Sequence, residues 1–317
     1  MAERLIEVRN LKKHFKTSRG LLHAVDGVSF HINRGETLGL VGESGCGKST
    51  IGRVMLRLLE ATSGEVLFEG ENILTFKRAR MAEMRGDMQI VFQDPFASLN
   101  PRMSVFETIA EPLRINRKAA NRADLCRQVR SLMETVGLAE RLENAFPHEL
   151  DGGRRQRIGI ARALALKPKF IVQDEPVSAL DVSIQAQILN LMNELQKEFG
   201  LTYLFISHDL SVVRHVSDNI AVMYLGKVVE LSDYGSLFDD PLHPYTKALL
   251  SAVPVPDVDV RRERIILEGD VPSPINPPPG CRFYGRCFVR TDKCRESEPE
   301  LTQVGEGRFC ACHLVGR

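Results

Sequence analysis

Neither sign of charge is in excess in this chain: 42 Lys and Arg stand against 41 Asp and Glu in 317 residues, a formal net charge of +1. So even a balance gives no bulk electrostatic case for nucleic acid or a membrane surface, and no nucleic-acid partner is expected. Long hydrophobic runs are also lacking. None approaches the roughly 18–20 residues that a membrane helix needs, so any membrane role is expected to come through partner subunits. The opening residues, MAERLIEVRN, carry charge but no apolar stretch of the secretory kind, so a signal peptide is not expected and a cytosolic location is. What remains is 43% hydrophobic and 26% charged, the composition of an ordinary globular protein with one large core or a core plus appendages.

Texture changes along the chain. Ile6–Val8, Ala24–Ile32, Glu36–Val41, Val66–Phe68 and Met88–Phe92 have strand spacing, and a helix is expected over Ser49–Leu59. From Val105 to about Leu164 the period is helical, which suggests a helical insertion in an α/β chain. Strand-like runs return at Phe170–Gln173, Thr202–Ile206 and Asn219–Tyr224, with a helix over Val182–Phe199. Alternation of this kind implies a largely parallel, covered sheet. Beyond Pro241, HPYTKALLSAVP can form one helix, and PSPINPPPG is too proline-rich for regular structure.

Gly42-Glu-Ser44-Gly45-Cys46-Gly47-Lys48-Ser49-Thr50 matches GxxxxGK[ST] between a strand and a helix. Its glycines let backbone N–H groups turn toward phosphates at a helix N-terminus. Lys48 should reach the β- and γ-phosphates of ATP, Ser49 should bind Mg²⁺, and Cys46 reads as a small filler of the loop. The apolar strand FIVQ ends in Asp174 and Glu175, at the edge where α/β proteins place ligands. Asp174 suits Mg²⁺, and Glu175 suits orienting or deprotonating a water. His208, after YLFIS, is a γ-phosphate contact in this setting, and Gln93, after MQIVF, a sensor of Mg²⁺ and the γ-phosphate.

Of seven cysteines, Cys46 and Cys126 stand alone while Cys281, Cys287, Cys294, Cys310 and Cys312 crowd the last forty residues. In a reducing compartment that favours ligation over disulfides. Structural zinc favours closer pairs, and four thiolates on a looping segment suit a [4Fe–4S] cluster; zinc, and unliganded or disulfide-bonded thiols, remain alternatives.

In this order, these motifs resemble those of ABC transporter ATPases over roughly residues 1–240. Leu150-Asp151-Gly152-Gly153-Arg154 stands where that family carries its LSGGQ signature, with Asp for Ser and Arg for Gln. Ser178-Ala179-Leu180-Asp181 falls at its D-loop and Phe15 at its adenine-stacking aromatic. The resemblance implies a RecA-like phosphate-loop core, an antiparallel β-subdomain and a helical subdomain at about 94–165. A small Cys-rich extension over 241–317 completes the expectation. VFQDPFASLNPRM, HPYTKALLSAVP, INPPPGC and the terminal cysteines look like the dipeptide/oligopeptide importer branch, with this chain as its second ATPase. That implies a second homologous ATPase subunit as heterodimer partner, two membrane permeases, an extracytoplasmic binding protein, and a place on the cytoplasmic face of the membrane. It also implies Cys281, Cys287, Cys294 and Cys312 as cluster ligands, with Cys310 an extra thiol. A nickel-chelate or oligosaccharide importer is the alternative. The missing internal repeat speaks against tandem-cassette proteins of translation or repair, and intact Lys48, Asp174, Glu175 and His208 against a non-hydrolysing regulatory subunit.

The altered signature bears on mechanism. In this family the signature of one subunit closes over ATP on the phosphate loop of the other, where its serine donates to the γ-phosphate. Ionised Asp151 donates nothing, and at ~4 Å with an effective dielectric near 20 two unit charges repel by about 4 kcal/mol. Arg154 and Arg155 are close enough in sequence to offset much of this, and two ATPs hydrolysed unequally are expected.

Overall fold

The structure, a computed structural model, describes residues 3–253 and 264–315. It divides into two compact units, one of residues 1–75 with 207–317 and one of 76–206. The two chain ends and residues 254–263, which include the Pro254 end of the helix expected from HPYTKALLSAVP, lie outside the described residues.

The first unit opens with β1 (Arg4–Thr17) and β2 (Gly20–Asn33), a long hairpin in which Leu5, Ile6, Val8 and Leu11 alternate with exposed or half-buried polar residues. After β3 (Thr37–Val41), buried at every position, come α1 (Lys48–Met55), β4 (Ser63–Phe68) and β5 (Glu71–Asn72). One antiparallel sheet runs β2-β1-β4-β5. The parallel sheet expected from alternation is thus only part of this unit, because hairpin-length connections force antiparallel pairing.

The second unit contains α2 (Arg78–Asp87), β6 (Met88–Val91), α3 (Val105–Ile115), α4 (Arg122–Thr135), α5 (Gly152–Leu164), β7 (Phe170–Asp174), α6 (Val182–Phe199) and β8 (Thr202–Ser207). Its strands pair in parallel, Met88 opposite Phe170 and Phe170 opposite Thr202. Ser104 caps α3 reciprocally: its hydroxyl accepts from Glu107 N at 3.2 Å, and its own N–H donates to Glu107 at 3.0 Å. α2 carries four arginine or lysine neighbours and only two buried methionines, so its apolar period is too thin to read from sequence.

The chain then returns to the first unit with α7 (Leu210–Val216), β9 (Asn219–Tyr224), β10 (Lys227–Asp233), α8 (Tyr234–Asp239), α9 (Pro244–Ser251), α10 (Asp292–Glu296), β11 (Thr302–Gly305) and β12 (Arg308–Cys310). β9 lies parallel to β3, and β10 and β12 extend that sheet antiparallel. The proline-rich stretch forms no regular element; it meets β2 through an isolated bridge, Leu22 to Ile275, and through Asn276 Oδ1, which accepts from Leu21 N at 3.0 Å. The C-terminal segment builds no core of its own. It borrows one: Phe283, 2% exposed, packs on Tyr224 and Tyr245 at ring separations of 5.2 and 5.4 Å.

α9 is held at its start by two buried groups. Glu230, wholly buried, accepts from Leu242 N and His243 N, both at 2.8 Å. His243 Nδ1 accepts from Tyr245 N at 3.1 Å, and burial drives the imidazole down to about 3. The unfolded chain takes this proton near pH 6.5, the folded one far below. His243 therefore contributes stability that is complete above about pH 6.5 and is lost as pH falls toward 3, by about 1.4 kcal/mol per unit. Asparagine can keep the cap without titrating. The stability gap between wild type and His243→Asn, measured by urea unfolding, should shrink by about 2 kcal/mol from pH 7.5 to pH 5. An unchanged gap would contradict this assignment.

Candidate active site

β3 delivers the chain into the phosphate loop. Gly42 and Gly47 have φ of +154° and +108°, and a Cβ on either would lie 2.2 Å from Met223 O or 2.0 Å from Ala24 O. Only glycine fits both the conformation and the approach. α1 starts at Lys48 with no side-chain cap, which leaves its first N–H groups for an anion. Lys48 is 4% exposed, and its ammonium donates to Gly42 O at 2.7 Å and Glu43 O at 3.1 Å. Ser44 and Gly45 are exposed at the loop's crest, and Ser49 and Thr50 are half-buried on the first turn of α1. Cys46 is buried, and burial pushes its thiol up, so it stays a neutral filler. Phe15 is half-buried on β1, with the Lys13 ammonium 4.7 Å from its ring centre. His208 is exposed between Ser207 and Asp209, the residue that caps α7 by accepting from Ser211 N at 2.8 Å.

The second unit presents the acids. Asp174, 2% exposed, ends β7. Glu175 follows with φ of +49°, a left-handed conformation that costs a non-glycine residue of order 1 kcal/mol. It is held there: its N–H donates to Ile206 O at 3.0 Å, and its carbonyl accepts from the Ser178 hydroxyl at 3.1 Å. Gln93 Nε2 donates to Glu175 Oε2 at 2.8 Å, so two residues 82 apart in sequence meet in this unit.

The signature segment is set by its own cap. Leu150 is buried, and Asp151 caps α5 by accepting from Arg154 N at 2.8 Å. Arg154 Nη1 lies 3.3 Å from the other Asp151 oxygen. Arg155 does not share that charge. Its Nε donates to Pro147 O at 2.6 Å, and its guanidinium stacks 4.8 Å from the Phe96 ring centre. The compensation expected from both arginines is therefore carried by Arg154. A Cβ on Gly152 would meet Leu180 at 2.9 Å and one on Gly153 would meet Ile184 at 2.7 Å, so the signature packs directly on the D-loop and α6. Ser178, Ala179 and Asp181 are exposed there, and Gln185 donates to Leu180 O at 2.9 Å.

In the C-terminal segment, Cys287, Cys294 and Cys310 are buried and Cys281 and Cys312 half-buried. Burial pushes the Cys281 thiol up to about 11, and Cys294, Cys287 and Cys312 raise it further. Burial likewise raises Cys287 and Cys312, each also feeling Cys294. Cys281 N donates to Cys294 O at 2.8 Å. Cys310 sits opposite Glu230 in the β10–β12 pair, whose carboxylate adds to its own burial in raising its thiol.

Sequence reading missed one polar group. His14 and His23 stack at 4.0 Å and flank Asp26, with Nε2 and Nδ1 at 3.2 and 2.9 Å from its two oxygens. Arg282 pairs with the same carboxylate. Burial works against the charge on Asp26, but His23, Arg282 and Lys227 together hold it well below the usual carboxylate range. With a guanidinium already seated, this group reads as an internal ion network.

Residues 25–178 match the ABC transporter family, and residues 229–294 match the family described as oligopeptide/dipeptide transporter, C-terminal region. The chain is 53% identical over 322 residues to the oligopeptide transport ATP-binding protein AppF of Bacillus subtilis (strain 168), covering 98% of each. The chain belongs to the ABC transporter ATPases. It is also 52% identical to the oligopeptide transport ATP-binding protein OppF of Salmonella typhimurium, covering 96% of this chain and 93% of that one. Among solved structures it resembles the ATP-binding cassette MJ0796, a dimer in a post-hydrolysis state bound to ADP and Pi. The TM-score there is 0.67 at 29% identity, over 72% of this chain and 98% of that one. The cbiO1 structure from Clostridium perfringens matches with the same TM-score and identity over 75% and 92%. This member of the family is an ATP-hydrolysing cassette, and none of its described helices is long and apolar enough to cross a membrane.

Proposed function

We propose that this chain is the ATP-hydrolysing subunit that powers import of di- and oligopeptides through a membrane transporter. The observation that carries this reading is the pairing, in one chain, of an ABC cassette with an oligopeptide/dipeptide transporter C-terminal region. Near-full-length identity to proteins named for oligopeptide transport supports it over nickel-chelate or oligosaccharide import. Two permeases, a second homologous ATPase and an extracytoplasmic binding protein complete the assembly, with this chain peripheral on the cytoplasmic face. ATPase activity should rise when the permeases and a peptide-loaded binding protein are added. Stimulation by a nickel chelate or an oligosaccharide in place of peptide would overturn the substrate assignment.

Residue roles follow from the geometry. The N–H groups of Gly45–Thr50 and the Lys48 ammonium take the β- and γ-phosphates, while Phe15 stacks on adenine. Ser49, Gln93 and Asp174 would hold Mg²⁺, which when bound neutralises phosphate charge. Glu175 orients the attacking water and accepts its proton, Gln93 fixes the angle of that carboxylate, and His208 contacts the γ-phosphate. Leu150–Arg154 and Ser178–Asp181 act on the nucleotide held by the partner cassette. In domain terms, residues 1–240 are the cassette, with the helical subdomain at about 94–165, and 241–317 the extension.

Cys281, Cys287, Cys294 and Cys312 would hold a [4Fe–4S] cluster with a structural role. One observation supports a shared donor set. Cys294, Cys287 and Cys312 each act on the Cys281 thiol, and Cys294 acts on those of Cys287 and Cys312, so the four share one region. Anaerobically purified protein should contain iron and sulfide; stoichiometric zinc would sink the assignment.

Asp151 makes the two ATP sites unequal, because a capping carboxylate faces the partner's phosphates with no hydroxyl to donate. Asp151→Ser keeps the α5 cap and restores a donor, and should raise turnover at that site roughly tenfold, one charged hydrogen bond being about 1.5–3 kcal/mol. Asp151→Ala should instead cost about 1 kcal/mol of stability through the lost cap. Unchanged turnover in the serine variant would contradict this role for Asp151.

A further inference from the structure

Glu43, the second residue of the phosphate loop, is gripped from the C-terminal segment. Arg286 Nη1 donates to both its carboxylate oxygens, at 2.8 and 3.1 Å, from a side chain only 10% exposed. Its backbone N–H donates to the Tyr245 hydroxyl at 3.0 Å. Its carbonyl accepts from Lys48 at 3.1 Å, the same ammonium that serves the phosphates. So one of the two residues whose carbonyls hold Lys48 within the loop, the other being Gly42, is held in turn by a tyrosine of α9 and an arginine of the cysteine segment.

Arg286 has little freedom of its own. It closes a single turn of 3₁₀ helix, Tyr284–Arg286, in which Tyr284 N donates to Cys281 O at 3.0 Å and Cys287 N to Tyr284 O at 3.4 Å. The turn is thus closed at both ends by the backbone of residues 281 and 287, whose side chains are two of the proposed cluster ligands, and seated by Phe283 in the aromatic cluster with Tyr224 and Tyr245. Glu43 is the carboxylate to which the Arg286 side chain donates, the Tyr224 hydroxyl also faces its guanidinium, and its Nε is buried with no partner. A buried cation with a single counter-charge fixes the position of that charge strongly. Unneutralised, the Glu43 carboxylate would stand within a loop built to receive phosphate, where like charge opposes binding.

We propose that Arg286 and Tyr245 are positioning residues for ATP binding, and that the Cys281–Cys287 turn thereby couples the cysteine segment to the phosphate loop. This rests on the reading of Gly42–Thr50 as the ATP loop. Arg286 neutralises Glu43, Tyr245 fixes its backbone, and together they set Lys48 for the phosphates. Loss of the turn's cysteines would act on nucleotide affinity through Arg286.

The test uses the full chain and a fluorescent (mant) ATP analogue, with thermal melting to verify folding. Arg286→Gln should weaken nucleotide binding about tenfold, a change of about 1.4 kcal/mol. KM for ATP should rise by the same factor while kcat falls less than twofold. Arg286→Lys keeps the charge and should recover most of the affinity, and Tyr245→Phe should weaken binding about threefold. Cys287→Ser should weaken binding in the wild-type background and have little further effect in Arg286→Gln. A folded Arg286→Gln protein that binds like wild type overturns the positioning role. Equal effects of Cys287→Ser in both backgrounds overturn the coupling. Wild-type protein that fails to bind the analogue overturns the loop assignment along with both.

Discussion

Glu175→Gln should lower ATP turnover of the assembled complex by roughly 10²–10⁴-fold while leaving nucleotide bound, because the substitution removes the proton acceptor and keeps the shape. The geometry makes this a clean experiment. Glu175 is fixed by backbone bonds to Ile206 and Ser178 that do not involve its carboxylate, and Gln93 donates to only one of its oxygens. A glutamine can therefore take the same place, and the left-handed φ of +49° is no harder for it. The corresponding substitution in the partner ATPase should cost much less. In the proposed heterodimer this chain's own ATP would be closed by the partner's signature and the partner's ATP by Asp151, whose carboxylate is spent on the Arg154 N–H and guanidinium. Separate steady-state assays of the two variants decide the matter, and equal losses would refute unequal sites.

Gly47→Ala should be nearly as damaging, but through binding. A methyl group there would sit 2.0 Å from Ala24 O at a φ of +108°, so loop and hairpin must both shift. The N–H groups at the start of α1 would then no longer converge on the phosphates. Losing even one such charged hydrogen bond removes about 1.5–3 kcal/mol, so ATP affinity should fall roughly 10–150-fold. Gly45→Ala is the informative comparison. Its φ of +78° is also unfavourable for alanine, but a Cβ there meets nothing within 4 Å. Titration with a fluorescent nucleotide should find a distinctly smaller loss for Gly45→Ala; equal losses would mean that backbone strain, and not the contact with Ala24, decides.

Much of the site could be read from the sequence because its parts are local. A glycine pattern between strand and helix, and an apolar strand ending in Asp174 and Glu175, each carry their chemistry within ten residues. Strands such as Phe170–Asp174 and the helix Val182–Phe199 were legible because burial there is continuous or strictly periodic. α2 was not, since half of its residues are charged and its helix rests on only two buried methionines. β10 to β12 were short and mixed in polarity, Glu230 being a buried acid in the middle of a strand. Pairings across long separations left no periodic signal at all: Gln93 with Glu175, 82 residues apart, and Arg286 with Glu43, 243 apart. Arg155 shows the opposite failure. Its nearness to Asp151 in sequence suggested an ion pair, but its guanidinium is engaged by the Pro147 carbonyl and the Phe96 ring instead.

ATP hydrolysis by this chain drives peptide across a membrane. The most direct measurement is uptake of a labelled dipeptide by vesicles containing the two permeases, both ATPases and the binding protein, with ATP supplied on the side of the ATPases. Accumulation should require ATP and disappear with Glu175→Gln. ATP hydrolysis at full rate with no peptide accumulation would contradict the account.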